Sequence, residues 1–414
     1  MKNNLLIAAA CMLALLSTTG ASLPYPILPP LFAAGTVNQL NHFLGLPPKL
    51  LFGIALTINP LGLMIGAALL GPLSDRYGRR PVLLTTALGA AAGHALTAWA
   101  LIIQSYPLFL LARFVTGLLE GNGAVARAML ADRLEGPLRL KAFSWLNGAF
   151  YTGWLAGPLL AGFTLQWGIT TPFWVAVVAL VVMAAMVAAV LPKETPSTAT
   201  TSWWQVARRQ HSMNLLKHAE LRTLFIVQLA YTCGVTAFYE FYPLWLVEFA
   251  HYDARGIAWM TALMCGLMTA CSLTFAGRAS MVAPLRRAAW FAFGVAATVA
   301  AVALGNLWIG LAAIVAFGIP NAFYNAIMPN WCADRFGHHG QGAVMGLLSM
   351  IFCVANILMA LAGAVLALID TRLVLALGAL LAVWAGWRLL RWEAVMADAA
   401  IEVGAPGAAL GANH

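Results

Sequence analysis

Gly71-Pro72-Leu73-Ser74-Asp75-Arg76-Tyr77-Gly78-Arg79-Arg80-Pro81-Val82-Leu83 is a short charged turn between two long apolar runs, residues 50–70 and 82–103. An α-helix needs about 20 mostly apolar residues to cross ~30 Å of hydrocarbon. Two such runs joined by so few residues predict a helical hairpin in a membrane. Gly71 permits close helix approach, Gly78 permits a tight turn, and the arginines can meet lipid phosphates or nearby carboxylates.

The rest of the chain agrees with this corner. Of 414 residues, 62% are hydrophobic and 9% charged, with a mean hydropathy of +0.84, whereas an ordinary soluble domain is about 45–50% apolar and about 25% charged. Apolar runs and their breakers predict twelve helices, at 5–33, 50–70, 82–103, 107–130, 142–165, 170–191, 223–249, 257–276, 288–304, 307–331, 342–368 and 371–390. With the N-terminus placed inside the cell, all of the 23 Lys and Arg except Lys49, Arg113, Arg255 and Arg372 fall on the cytoplasmic side. The positive-inside rule then predicts a multi-pass protein of the cell (inner) membrane with both termini cytoplasmic. Met1-Lys2 before an apolar run also suits a signal peptide, but the run continues through Pro24 to Pro29, and we expect helix 1 to be retained.

The longest polar interval, 192–222, divides the spans six and six. This gives an expected N-terminal bundle at 1–191, a cytoplasmic linker at 192–222, a C-terminal bundle at 223–391 and a cytoplasmic tail at 392–414. Trp203, Trp204, Arg208, Arg209 and Lys217 in the linker suit either an interfacial helix or a solvated loop. The halves echo each other: Ala131-Asp132-Arg133 follows helix 4, and Ala333-Asp334-Arg335 follows helix 10. The expected fold is therefore an all-α membrane protein with twelve transmembrane helices in two pseudo-symmetric six-helix bundles and a cavity between them.

Charged groups inside the spans are few. Arg113, Glu120 and Arg127 are spaced by seven and should share one face of a continuous helix 4, flanked by the Gly117 and Gly121 step. An acid at the depth of Glu120 costs at least ~2–3 kcal/mol when charged, so it calls for a wet cavity or a partner. Two readings stand for it, a proton or substrate site and a permanent ion pair with Arg113 or Arg127. Glu240 stands among Tyr231, Tyr239, Tyr242 and Trp245, about 24 Å along helix 7 at ~1.5 Å per residue. It suits either a cationic or amphipathic ligand or a hydrated place near the outer interface. Asn147, Tyr151, Tyr239, Asn321 and Asn325 are candidate cavity-lining residues, and His94 could titrate only where it faces water. Cys332, Asp334, His338 and His339 match no metal-ligand spacing, so no metal is expected. There is no phosphate-binding loop or nucleophile motif, which argues against an ATP-driven pump and against an enzyme.

The 71–83 loop is similar to the signature of the major facilitator superfamily, G-x-L-x-D-R-x-G-R-[RK], and lies in the corresponding place between helices 2 and 3. The resemblance implies a cytoplasmic gating cluster of Asp75, Arg79 and Asp132, or a topological staple without a gating role. The Arg113-x-x-x-Gly117 step resembles the superfamily's helix 4 motif, whose arginine is implicated in proton coupling. Gly153, Gly157, Pro158 and Gly162 resemble its helix 5 antiporter motif, where glycine and proline let a helix bend against its neighbour, although Ala161 replaces one glycine. Among its members the twelve-helix drug:proton antiporters are the best match. The resemblance implies a monomer moving a small-molecule substrate and protons across the lipid bilayer, with no cofactor and no nucleic acid. Helix 1 carries no acidic residue, a departure from several such exporters that leaves Arg113, Glu120 and Glu240 as coupling or substrate-binding candidates. The alternatives are an uptake permease or facilitator for a nutrient, metabolite or metal chelate, and a membrane receptor that moves nothing.

Overall fold

The computed structural model describes residues 2–33, 38–134, 136–191, 212–274, 283–336, 338 and 341–402, and within some helices the side chains fall outside the description. The described residues are helical almost throughout. In chain order the helices are α1 (Lys2–Ser22), α2 (Pro24–Ala33), α3 (Pro48–Tyr77), α4 (Arg79–Ile102), α5 (Tyr106–Glu120), α6 (Gly123–Arg133), α7 (Gly136–Thr164), α8 (Thr171–Val190), α9 (Ala219–Ala250), α10 (Ala254–Thr274), α11 (Pro284–Ala303), α12 (Leu307–Ala316), α13 (Gly318–Phe336), α14 (Gln341–Ala367) and α15 (Thr371–Glu402). Two 3-10 turns, Leu165–Trp167 and Ser212–Lys217, complete the set.

Eleven helical stretches among the described residues are long and apolar enough to cross a membrane, and the 29-residue α7 is a further long helix. The α8 helix shows why lipid is the solvent. Its mean hydropathy is 2.8, yet only 33% of that window is buried, so Val178, Val181 and Val182 face outward. In water such a surface would demand a protein partner, whereas in hydrocarbon it needs none. Tryptophans at helix ends, such as Trp99, Trp167 and Trp308, are also exposed, as rings at a membrane–water boundary are.

Three of the expected crossings are broken, and the sequence explains each break. Pro24 has no N–H and disfavours helical geometry at Leu23, so α1 ends and α2 begins there. The Gly121-Asn122 pair separates α5 from α6, which corrects the expectation of one continuous helix 4. Arg127 therefore does not share an unbroken helical face with Arg113 and Glu120; its guanidinium lies 5.1 Å from the ring centre of Phe150. Pro320 cannot donate to the carbonyl four residues back, and Phe317 separates α12 from α13.

The chain divides into two compact units, residues 1–211 with 246–262, and residues 212–245 with 263–414. In the first unit α1 packs along α7, α3 along α5, and α4 against both α5 and α8. Its core includes Leu13, Leu83, Ala87, Leu130, Leu146 and Met183. In the second, α11 packs against α15, α12 and α13. The third crossing of each unit thus packs on that unit's fourth and sixth, as duplicated bundles require. Residues 192–211 of the expected linker and 403–414 of the expected tail lie outside the described residues.

Candidate functional site: a buried acid in each unit

The first unit holds its acid where the helix breaks. Glu120 is the last residue of α5, and its Oε1 lies 2.9 Å from Nε2 of His94 on α4, with neither side chain more than 1% exposed. Gly20 of α1 is what makes room: a Cβ there would collide with both His94 Nε2 and Glu120 Oε1. The ring of Phe173 on α8 closes the far side, 6.2 Å from the imidazole centre. Just beyond the pair, Asn122 accepts from Ser17 Oγ at 3.3 Å and donates to Thr86 Oγ1 at 3.5 Å. Polar side chains of α1, α4 and the α5–α6 turn thus meet at one depth.

Arg113 lies on the same helix two turns earlier and is 3% exposed. Its Nη2 donates to the Ala21 carbonyl at 3.2 Å, next to the glycine that accommodates the acid. Asn59 Nδ2 donates to the Arg113 carbonyl at 3.2 Å. Three buried polar atoms of this group have no hydrogen-bond partner among the described residues: His94 Nδ1, Glu120 Oε2 and Arg113 Nη1. An unsatisfied buried polar atom costs about 1–3 kcal/mol, so three around one turn of α1 mark a place that stability alone does not explain. Chemically, an imidazole and a carboxylate in direct contact can share one hydrogen-bonded proton.

Of the two readings for Glu120, the permanent ion pair with Arg113 or Arg127 is not what the structure shows; the imidazole of His94 takes that place. The available signal was a lone ionisable ring in an otherwise apolar helix, but periodicity cannot tell which neighbouring helix such a ring faces.

The second unit organises its polar side chains on α9, α10 and α13. Asn321 accepts from Tyr231 OH at 3.1 Å and from Asn325 Nδ2 at 3.0 Å, and donates to Tyr239 OH at 3.3 Å and Met268 Sδ at 3.5 Å. Tyr231 stacks on Tyr324 with centroids 3.4 Å apart, and Tyr324 OH donates to Gln228 Oε1 at 2.8 Å. The candidates Tyr239, Asn321 and Asn325 therefore form one network, which Tyr231, Tyr324, Gln228 and Met268 extend. Glu240 stands apart. It is 1% exposed, with neither carboxylate oxygen paired among the described residues.

Gly153 and Gly157 of α7 meet α1: a Cβ on Gly153 would strike Thr18 Oγ1 and the Leu15 carbonyl, and one on Gly157 would strike Ser22 Oγ and lie 2.6 Å from the Thr19 carbonyl. Pro158 lies inside α7, which runs on unbroken through it. Gly162 faces Ala258 of α10. Arg79 opens α4 and donates to Ser74 Oγ. Asp75, Asp132, Asn147 and Tyr151 lie on α3, α6 and α7, with side chains outside the described residues.

Long apolar helices, paired helical breaks and buried ionisable side chains define a polytopic α-helical membrane protein. The profile of the Major Facilitator Superfamily matches residues 10–304, and the chain belongs to that superfamily of transporters. Among curated relatives, it is 34% identical over 169 residues to the tetracycline resistance protein, class B, of Escherichia coli, covering 40% of this chain and 39% of that protein. It is 26% identical over 197 residues to the putative niacin/nicotinamide transporter NiaP of Bacillus subtilis (strain 168), covering 46% of each. The chain thus matches less than half the length of these relatives. Among solved structures, the human organic anion transporter MFSD10 (TETRAN) superposes with a TM-score of 0.70 at 18% identity, covering 94% of this chain and 99% of that one. A D-xylose-proton symporter superposes at 0.68 and 16% identity, covering 94% and 96%. These structures share the fold.

Proposed function

We propose that the protein is a proton-coupled antiporter that exports small amphipathic molecules from the cell by alternating access, with both termini in the cytoplasm. The observation that carries the reading is the buried His94–Glu120 pair beside Arg113. With one proton the pair is neutral overall, whether as carboxylic acid and imidazole or as carboxylate and imidazolium. Losing that proton leaves a net negative charge in a low-dielectric place, which is costly unless a cation or water reaches it. Arg113, with Nη1 unpaired among the described residues, is the nearby group suited to answer that charge. Protonation and rearrangement are thereby coupled, as exchange of a proton for substrate requires.

In this reading Asp75, Arg79 and Asp132 form a cytoplasmic charge cluster that opens as the protein switches state, and the small-residue face of α7 lets α1 slide against it. The partial likeness to tetracycline resistance proteins supports export. The likeness to a putative niacin/nicotinamide transporter supports a second reading, uptake of a small nutrient. Direction separates the two: cells lacking the protein retain more of an exported toxic compound but lose accumulation of a nutrient. For coupling, purified protein in proteoliposomes is screened for stabilising ligands, and any hit is followed in counterflow across a pH gradient. Proton-driven counterflow should vanish in Glu120→Gln; wild-type coupling in that variant would remove Glu120 from the mechanism.

A further inference from the structure

The second unit carries a charged patch that the proposed mechanism does not use. α11 and α15 run antiparallel: a Cβ on Gly386 would meet the Ala289 carbonyl and the Phe293 ring, and Glu393 reaches the backbone N–H of Arg286. The start of α11 and the last turns of α15 therefore lie side by side, where the apolar stretch Pro284–Ala303 begins and the stretch Thr371–Val395 ends. Residues 284–290 and 384–395 hold four arginines, Arg286, Arg287, Arg388 and Arg391, against a single acid, Glu393.

Helical spacing sorts these residues by depth. Leu380, Trp384, Trp387 and Arg391 recur at helical intervals and form one exposed stripe of α15. From Leu380 to Arg391 the stripe runs about 16 Å, close to half of the ~30 Å hydrocarbon layer. On α11 the matching indole is Trp290, 64% exposed, with Arg286 one turn before it. Trp290 and Trp387 each stand one residue past the contact of Ala289 with Gly386, and in an antiparallel pair such positions turn to the same side. Two indoles thus flank the seam between the helices, with Arg286 and Arg391 at its head.

Folding does not account for this arrangement. Arg286 and Arg287 add positive charge to the positive end of the α11 dipole, and Ala283 at the N-cap offers no side-chain hydrogen bond. The Arg391 guanidinium lies 4.0 Å from the ring centre of Trp387, and that of Arg388 lies 5.8 Å from Trp384. Arg388 Nε is buried without a hydrogen-bond partner among the described residues. A phosphate at the seam would answer this charge. The order along the stripe, aliphatic then indole then guanidinium, is also the order in which a phospholipid presents chain, glycerol ester and phosphate.

We propose that the seam between α11 and α15 binds an anionic phospholipid, with the phosphodiester between Arg286 and Arg391 and the acyl chains along Trp290, Trp387 and Leu380. A zwitterionic headgroup would bring its own cation into the patch, so the surface selects a lipid of net negative charge. Nothing in this depends on cargo, coupling or the direction of transport.

The test uses purified full-length protein in detergent, incubated with phosphatidylglycerol or phosphatidylcholine of identical acyl chains, and bound lipid is counted by native mass spectrometry. Wild type should retain phosphatidylglycerol over phosphatidylcholine by about tenfold or more, and the double variant Arg286→Gln/Arg391→Gln by about twofold or less. Arg255→Gln/Arg372→Gln removes the same charge from the starts of α10 and α15, at the opposite helix ends, and should keep the wild-type preference. Absence of preference in wild type, its survival in the first double variant, or an equal loss in the second overturns the proposal. Glycerol phosphate at the concentration of the lipid should not displace it; displacement would show a site for free anions and overturn the lipid assignment. If the first double variant does not fold, Arg391→Gln alone decides: a loss of about threefold or more is expected, and any smaller loss overturns the proposal.

Discussion

Nε2 of His94 and Oε1 of Glu120 lie 2.9 Å apart with almost no exposure of either side chain, and the backbone of Gly20 leaves the space in which they meet. The consecutive helices α4 and α5 and the distant α1 therefore depend on one another at this depth. Removing one member of a buried pair leaves the other uncompensated, at about 3–5 kcal/mol. His94→Ala should lower the thermal unfolding temperature well below that of Glu120→Gln, and the double variant should recover part of the loss. Additive effects of the two substitutions would mean that the pair is not coupled.

Gly20→Ala places a methyl group against both members of the pair. Overpacking of this kind costs about 1–3 kcal/mol, so the variant should unfold at a lower temperature, with a larger loss for Gly20→Val. Alanine at Gly148, where a Cβ meets nothing within 4 Å, is the matched control and should leave the unfolding temperature nearly unchanged.

Asn321 is the hub that joins Tyr231, Tyr239, Met268 and Asn325. Asn321→Ala strips partners from several buried groups at once, at about 1–3 kcal/mol for each group left bare. The same substitution at exposed Asn330, whose side chain donates to the Ala326 carbonyl one turn back, should cost less than about 0.5 kcal/mol. Differential scanning fluorimetry of the two variants in one detergent makes the comparison.

Lys49 and Glu248 form an ion pair at 2.8 Å with 28% and 24% of their side chains exposed. Water screens a pair placed like this, and its net worth is about 0–1 kcal/mol. Glu248→Gln should shift the unfolding temperature by no more than a degree or two and lose even that in high salt. A shift as large as that of His94→Ala would show this contact to be a structural clamp.

Much of the fold was legible because lipid imposes a simple rule on sequence. Every backbone group must be satisfied internally, so apolar runs of spanning length become helices, and the runs at 50–70, 82–103 and 170–191 needed only that rule. The breaks were harder. Pro24 and Pro320 were visible, but whether proline bends or interrupts a helix depends on what packs around it, and Gly121-Asn122 lay inside a stretch that periodicity alone extends.

The site was legible by residue type and not by partnership. Glu120 and Glu240 stood out as acids in apolar surroundings, and Tyr239, Asn321 and Asn325 as polar groups in spans. That His94 rather than an arginine faces Glu120 depends on the rotation of α4 against α5, and that Gly20 lines the pair depends on the approach of α1. Neither is encoded within a single helix. The glycines of α7 were legible as small residues, while the surface they fit, Thr18, Thr19 and Ser22 of α1, was not.

The proposed mechanism requires above all that the buried pair of the first unit take up and release a proton within the intact protein. Infrared titration of purified wild type against Glu120→Gln reads this without knowledge of the cargo, because a protonated carboxyl group absorbs where a carboxylate does not. The shared proton sits on the carboxyl or on the imidazole, so we expect a pH-dependent carboxyl or imidazolium band in wild type that is missing from Glu120→Gln and altered in His94→Gln. Identical spectra for wild type and Glu120→Gln at every pH would refute that requirement.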